Sequence, residues 1–180
     1  MRKLLLALCL SILACGCSSQ TSPSAQRAQL ETDSRAALDA LYSSSAGARA
    51  LGATAKGILV FPSIVKGGFM VGGQFGEGVL FKDGYASGNY SSVSASFGLQ
   101  AGLQKFGYAM FFMSDSDLKY LTSSEGWEIG VGPTVTILDK GLSESFSTTT
   151  ARKGVYAFFF EQKGLMAGLG LQGTKITKIQ

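Results

Sequence analysis

Histidine is absent from this chain of 180 residues, and its three cysteines all lie close to the amino terminus, at positions 9, 15 and 17. The rest of the chain therefore offers no disulfide, no thiol nucleophile and no Ser-His or Cys-His catalytic pair. It also lacks imidazole and thiolate ligands, so a metal site would need oxygen donors, which suit Mg or Ca better than Zn. We expect a protein without enzymatic activity, without a metal site and without a cofactor.

Strong net charge is also missing. Two of the four net positive charges belong to Arg2 and Lys3, and the longest basic run after them is Arg152-Lys153. A nucleic-acid-binding domain usually gathers more Lys and Arg than this on one face. We therefore expect no nucleic-acid partner.

The amino terminus has the features of an export signal rather than of a folded element. Arg2 and Lys3 precede the apolar run 4–14, which is followed by Cys15-Gly16-Cys17. Such a run is too short to span a bilayer, for which about 20 residues are needed. Because a cysteine stands at the expected cleavage point, the segment resembles a bacterial lipoprotein signal. The resemblance implies that residues 1–14 are removed and that the cysteine is lipidated.

Two cysteines compete for the lipid. Both follow a small residue, but only Cys15 has a branched aliphatic residue, Ile12, three places upstream, as such signals prefer. We favour Cys15 and keep Cys17 open, with an ordinary signal peptide as the alternative. Neither Gly16 nor Ser18, which follow the two cysteines, is the Asp that retains many lipoproteins at the inner membrane. The resemblance therefore implies an exported protein on the periplasmic face of the outer membrane.

Residues 15–29 form the expected lipidated terminus and tether, and residues 30–180 form one domain of ordinary size. Apolar spacing predicts a helix over Ala25–Tyr42, with one face made by Leu30, Ala37, Leu38 and Leu41. Two further short helices are predicted over Ala46–Ala55 and Asp115–Leu121.

The whole chain is rich in glycine, with 24 residues, and in aromatics, and outside the predicted helices it has the pattern of short strands. The predicted strands are Ile58–Phe61, Phe69–Phe75, Val79–Phe81, Tyr85–Tyr90, Ser92–Leu103, Tyr108–Met113, Ile129–Val131, Val135–Leu138, Phe146–Thr150, Val155–Phe160, Leu165–Leu171 and Thr174–Ile179. Asp83-Gly84 carries a hairpin signal. We predict an α+β fold, with N-terminal helices packed on a curled antiparallel sheet or barrel. The lack of βαβ alternation argues against parallel strands.

Several segments in order resemble the SYLF domain family, from about Leu30 to the C-terminus. These are Ala55–Pro62, Lys66–Phe69, Gly72–Gly73, Gly76–Gly78, Ser96–Gly102, Gly126–Glu128, Thr148–Thr150 and Gln162–Gly168. The resemblance implies a lipid-binding module. Eukaryotic members associate with phosphoinositides and with the actin machinery, and bacterial members are exported single-domain proteins. For this chain we expect membrane lipids, anionic ones preferred, as the partner.

Three motifs carry a structural and a functional interpretation. The glycine-rich segment Lys66–Gly78 predicts a tight hairpin with aromatic rings over glycine, or a loop whose amides bind phosphate. Trp127 is predicted to be a core residue, with Glu125 and Glu128 as solvated neighbours rather than an acid–base pair. Gly168-x-Gly170-x-x-Gly173 has the spelling of a dinucleotide fingerprint, but too little chain follows it for that fold.

Basic residues near turn signals are the candidate headgroup ligands. Those that we expect to bind an anionic headgroup are Lys66, Arg152, Lys153 and Lys163. They belong to a wider set that could form one cationic rim or could be scattered solvated charges: Lys56, Lys105, Lys175 and Lys178. The alternative function is a non-catalytic envelope scaffold that binds another protein and touches lipid only through its anchor.

Overall fold

The computed structural model describes residues 22–69, 71–97, 102–123, 126–138, 153–163, 170–171 and 173–179. Within these residues, three helices and one curled mixed sheet of eight strands form a single α+β domain. The helices are α1 (Pro23–Ser44), α2 (Ala46–Gly52) and α3 (Asp115–Ser123). The strands are β1 (Gly57–Phe69), β2 (Val71–Lys82), β3 (Tyr85–Phe97), β4 (Gly102–Phe112), β5 (Trp127–Glu128), β6 (Val135–Leu138), β7 (Val155–Lys163) and β8 (Lys175–Ile179). The predicted fold class is confirmed.

The sheet has the order β5-β8-β3-β2-β1-β4-β7-β6 and curls into a half-barrel. Its neighbours pair antiparallel except for β6 and β7, which are parallel. The expectation of a wholly antiparallel sheet is therefore wrong at this edge. Parallel neighbours need a connection of a dozen or more residues, and residues 139–154 provide that length without a predicted helix to reveal it.

The sheet buries apolar side chains on both faces. The inner face of the half-barrel holds a core built around Phe61, Tyr108, Phe112 and Trp127, with α3 packed against it through Leu118. The outer face is covered by α1 and α2 over one half of the sheet. The core beneath these helices contains Val60, Val79, Phe81, Phe111 and Phe158. Both cores are built from residues between Leu30 and Ile176, so a chain starting at Gln20 keeps all of them.

Helix α1 begins earlier than predicted. Ser22 caps it by accepting a hydrogen bond from the amide of Ala25 at 3.3 Å, and Pro23 occupies the first turn, where its missing N–H costs nothing. Residues 23–29, assigned to the tether, are therefore helical. The predicted apolar face is confirmed, since Ala37 and Leu41 are buried against the sheet. The helix is docked, so its leucines are not free to enter a membrane.

Arg35 fastens α1 to the β2–β3 hairpin. Its guanidinium donates to the carbonyl of Gly84 at 3.1 Å, forms an ion pair with Glu31 at 3.0 Å and lies 4.9 Å from the centre of the Phe81 ring. The turn itself has positive φ at Asp83 (51°) and Gly84 (82°), as a two-residue hairpin turn requires. The predicted Asp-Gly hairpin is therefore confirmed.

Strand β1 continues through Pro62, where the prediction had ended it. Its pairing with β2 changes register between Val60 and Ser63, so β1 carries an extra residue at Phe61–Pro62. Proline is compatible with a bulge because no ladder hydrogen bond is needed there. Since one added residue reverses the alternation of side chains, Ile64 enters the inner core and Val65 faces outward.

Long continuous strands replace several short ones. Strand β2 joins most of the predicted Phe69–Phe75 with Val79–Phe81, and β3 joins Tyr85–Tyr90 with the first half of Ser92–Leu103, whose end belongs to β4. The strand predicted over Ile129–Val131 is wrong, because Gly130 and Gly132 adopt positive φ in a turn after β5. Strand β4 starts six residues before the predicted Tyr108–Met113, and β5 was not predicted; the other described helices and strands agree with the prediction within a few residues. Phe146–Thr150 and most of Leu165–Leu171 lie outside the described residues.

A buried hydroxyl pair crosses the inner core. Tyr108 and Ser92 are both fully buried, and the phenol donates to Ser92 Oγ at 2.8 Å. Burial raises the pKa of Tyr108, and the hydrogen bond between Tyr108 and Ser92 only partly offsets this rise. The neutral phenol is therefore the form that the core holds.

We predict that Tyr108→Phe and Ser92→Ala each lower the free energy of unfolding by about 1–3 kcal/mol, because each leaves a buried polar group without its partner. The double variant should lose less than the sum of the two. Urea denaturation of the four proteins measures the coupling. Strictly additive losses would show that the two hydroxyls do not stabilise each other.

Candidate functional site

The helices leave half of the outer face uncovered. On β2 the outward residues alternate along the strand, and Val79 and Phe81 lie beneath the helices while Val71 and Phe75 are exposed. Strands β1 and β4 continue past the helices in the same way, and β3 pairs with β2 beside them without contributing to the core beneath the helices. The outer face therefore has an exposed half, formed by strand ends around the β1–β2 hairpin.

Three large apolar side chains form a row across this exposed half. Phe75 pairs with Val65 on one side and with Val93 on the other, so the three lie side by side on adjacent strands. Their exposed fractions are 54%, 49% and 47%, respectively. Cross-strand partners lie about 5 Å apart, so they form a continuous apolar surface. We call Val65, Phe75 and Val93 the apolar row.

A lysine lies at each end of the apolar row. Lys105 of β4 is the register partner of Val65, and Lys175 of β8 is the partner of Val93. Both lysines are exposed, and among the described residues neither forms an ion pair, although Glu128 of β5 is the next partner after Lys175. Four strand spacings separate the two lysines, a distance of about 19 Å.

Two more apolar residues extend the exposed half towards the hairpin. Leu103 is 75% exposed and leans over Gly67, and Val71 is 60% exposed beside the β1–β2 turn. We call the apolar row together with Leu103 and Val71 the tip surface. Glu77 limits it on the side of the helices, two residues along β2 from Phe75. Isolated exposed apolar residues are ordinary, but a contiguous patch of this kind marks an interaction surface.

Lys66 lies on the opposite face of the sheet. It is half-buried, and its register partners are Gln104 and Gln74, both of which are buried on the inner face. Gln74 donates to Thr174 Oγ1 at 3.2 Å, whereas Gln104 Oε1 accepts no hydrogen bond from the described residues. Lys66 therefore belongs to a polar row at the inner mouth of the half-barrel.

The other predicted headgroup residues do not join Lys66. Lys153 is exposed just before β7, at the far end of the sheet, where Val155 pairs with Phe112. The strand from Gln104, beside Lys66, to Phe112 is roughly 27 Å long. Lys163 is the register partner of Lys105, so its backbone lies near the end of the apolar row that Lys105 occupies. Arg152 lies outside the described residues, as do Cys15 and Cys17.

The wider basic set is spread along the sheet. Lys56 precedes β1 at the end near Lys153, because its amide donates to the carbonyl of Phe112 at 2.8 Å. Lys178 pairs with Tyr90 in the middle of β3. One rim made of all the basic residues is therefore not formed.

The structural interpretations of two motifs are confirmed. Lys66–Gly78 is the β1–β2 hairpin, and a Cβ on Gly78 would lie 2.7 Å from Phe61 Cδ1, so glycine makes room for the ring. Trp127 is 1% exposed and donates from Nε1 to the carbonyl of Val131 at 2.9 Å, while Glu128 is exposed. Glu125 and Gly168 lie outside the described residues.

None of the described helices is long and apolar enough to cross a membrane. Within the same residues, no three side chains of His, Cys, Asp or Glu come close enough together to hold a metal ion.

The family comparison matches the C-terminal part of the chain. Residues 93–180 match the family described as "Ysc84: Las17-binding protein actin regulator". Residues 93–180 of this chain are thus similar to the Ysc84 family, the family of the SYLF domain, which confirms the resemblance seen in the motifs. The match begins at Val93 and includes both lysines at the ends of the apolar row. No curated protein matches the chain.

Patterns in the sequence did not predict the apolar row. Val65, Phe75 and Val93 stand in segments that alternate with Gly and Ser, and their pattern only shows that one face is buried. Which face that is depends on the bulge at Pro62, which has no distinct signature. Lys105 and Lys175 belong to the wider basic set, but their spacing in the sequence did not show that they lie at the two ends of one apolar row.

Proposed function

We propose that the protein is an exported lipoprotein whose SYLF domain binds anionic lipid headgroups and has no catalytic activity. Membership of the Ysc84 family suggests lipid binding or protein binding of the kind that its description names. The single observation that carries the choice of lipid is the apolar row with a lysine at each end. An apolar centre with cations at its margins is complementary to the interface of an anionic membrane.

The runner-up is an envelope scaffold that binds another protein. Its support is the family description, which names a protein partner. An exposed apolar patch would suit such a partner as well. The lysines at both ends, neither of which forms an ion pair among the described residues, favour a surface of phosphates over an apolar protein groove, so we place lipid first.

We propose that Cys15, or else Cys17, carries the anchor and that the protein lies on the periplasmic face of the outer membrane. The support is the export signal in the sequence. Several acyl chains on one residue add about 0.8 kcal/mol for each buried CH₂, which is enough for stable anchorage.

Replacing both Cys15 and Cys17 by Ser should release the protein from membranes or block its maturation, because no acyl acceptor remains. Metabolic labelling with a fatty-acid probe, followed by membrane fractionation, makes the measurement. The single changes Cys15→Ser and Cys17→Ser serve as matched controls and identify the modified residue. A wild-type protein without label would contradict the anchor.

The domain without its anchor should itself bind anionic vesicles. We predict that a chain starting at Gln20 floats with vesicles containing phosphatidylglycerol or cardiolipin and not with pure phosphatidylcholine. Binding should weaken as salt rises, because exposed charges are screened within about 8 Å at physiological ionic strength. Equal absence from all three kinds of vesicle would favour the protein scaffold.

Removing the two row-end lysines should cost most of this affinity. Each lysine near an anionic surface contributes about 1 kcal/mol, so Lys105→Ser with Lys175→Ser should weaken binding roughly tenfold or more at low salt. Lys82→Ser with Lys119→Ser is the matched control, since it removes the same charge from exposed positions away from the tip surface. Equal losses in both pairs would mean that net charge, not the row, sets the affinity.

We also propose that Arg152 and Lys153 bind headgroups, and the same vesicle assay tests this. Arg152→Ser with Lys153→Ser should also reduce binding if that end of the sheet touches lipid. Because Lys153 lies far from the row, one flat membrane contacts these two sites only in different orientations. The comparison of the two pairs therefore reveals which end of the domain meets the membrane.

A further inference from the structure

We propose that the tip surface enters the interfacial layer of the bilayer, with Phe75 at its centre among the lipid chains and Lys105 and Lys175 on the surrounding phosphates. This inference rests on the proposed lipid binding and adds the inserting surface and its depth. It differs from a purely electrostatic contact, in which every side chain stays above the phosphates.

The order of side chains along the row supports insertion. Apolar groups occupy the three central strands, and the cations occupy the flanking ones. Lysine has a long apolar stem and a charged end, so Lys105 and Lys175 can remain at phosphate level while the centre goes deeper. The reverse order, with lysines in the centre, would hold the apolar groups away from the lipid.

The shape of the surface also supports insertion. The residues that lie beside the row towards the hairpin are small, Gly67, Gly73 and Ala95, and they are register partners of one another or of Leu103. They leave Phe75 and Leu103 as the protruding groups.

The acidic residues nearest in register lie at the margins of the tip surface. Glu77 lies on the side of the helices, as does Glu161, which lines a pocket together with Leu41 of α1, and Glu128 is the register partner of Lys175 beyond the end of the row. The tip surface itself contains no carboxylate, so insertion at this angle buries no negative charge. An approach through the helix-covered half would bring Glu77 towards the phosphates instead.

Single-cysteine labelling tests the depth directly. The chain starting at Gln20 contains no cysteine, so Phe75→Cys can be labelled with an environment-sensitive fluorophore. On phosphatidylglycerol vesicles the label should shift to the blue and be quenched by lipids with a nitroxide on the acyl chain. Tyr85→Cys is the matched control, because Tyr85 is 76% exposed at the opposite end of the same sheet. Its label should neither shift nor be quenched.

Unlabelled variants guard against an effect of the dye. Phe75→Ser should weaken partition into phosphatidylglycerol vesicles about 3- to 10-fold, from the loss of a half-exposed ring, while Phe75→Leu should keep most of it. Thermal unfolding should be unchanged in both, since the side chain is exposed.

The outcomes separate this inference from the function on which it rests. Vesicle binding without a blue shift at position 75, or with Phe75→Ser unchanged, would overturn insertion and leave a surface electrostatic contact. Equal shifts at positions 75 and 85 would also overturn it. Failure of the unlabelled wild-type domain to bind any vesicle would overturn both proposals and favour a protein partner on the tip surface.

Discussion

Strand β1 places side chains on both faces of the sheet, and the extra residue at Phe61–Pro62 determines which of its residues lie on which face. Before the bulge, Val60 packs beneath the helices and Phe61 fills the half-barrel. After it, Ile64 takes the inner position and Val65 faces out. Without that residue the alternation would turn Ile64 outward and bring Val65 into the core. The inner core and the exposed row both depend on this one irregularity.

The helices act on the sheet as a partial cover. Helix α1 contacts β1 and β2 near the start of β1 and the end of β2, and Arg35 holds it to the β2–β3 turn. Strands β1, β2 and β4 are longer than this cover, so each has a half that is buried on both faces and a half that is open on one. In a sheet with polar outward residues the open half would be an ordinary surface. Here it is apolar in the centre and cationic at the ends.

Local patterns in the sequence were sufficient for much of the fold. The face of α1, the short helix after Ser114, the Asp-Gly turn and the buried Trp127 followed from periodicity, capping and turn chemistry, which are local. The continuity of β1 through Pro62 and the parallel pairing of β6 with β7 depend on neighbours distant in the chain. The candidate site belongs to the second kind, because Lys105 and Lys175 meet the apolar row only through strand register. Family resemblance indicated a lipid-binding domain but not the surface that binds.

Because α1 starts as early as Pro23, the tip surface can be effective even if it binds lipid weakly. With an anchor at Cys15 or Cys17, fewer than ten residues lie between the lipid and the rigid domain, a reach of about 25 Å at most. So short a tether keeps the domain at an effective concentration of the order of millimolar relative to the membrane that holds its anchor. A contact made by one phenyl ring and two lysines, which holds a free protein only weakly, is then enough to set the orientation of a tethered one.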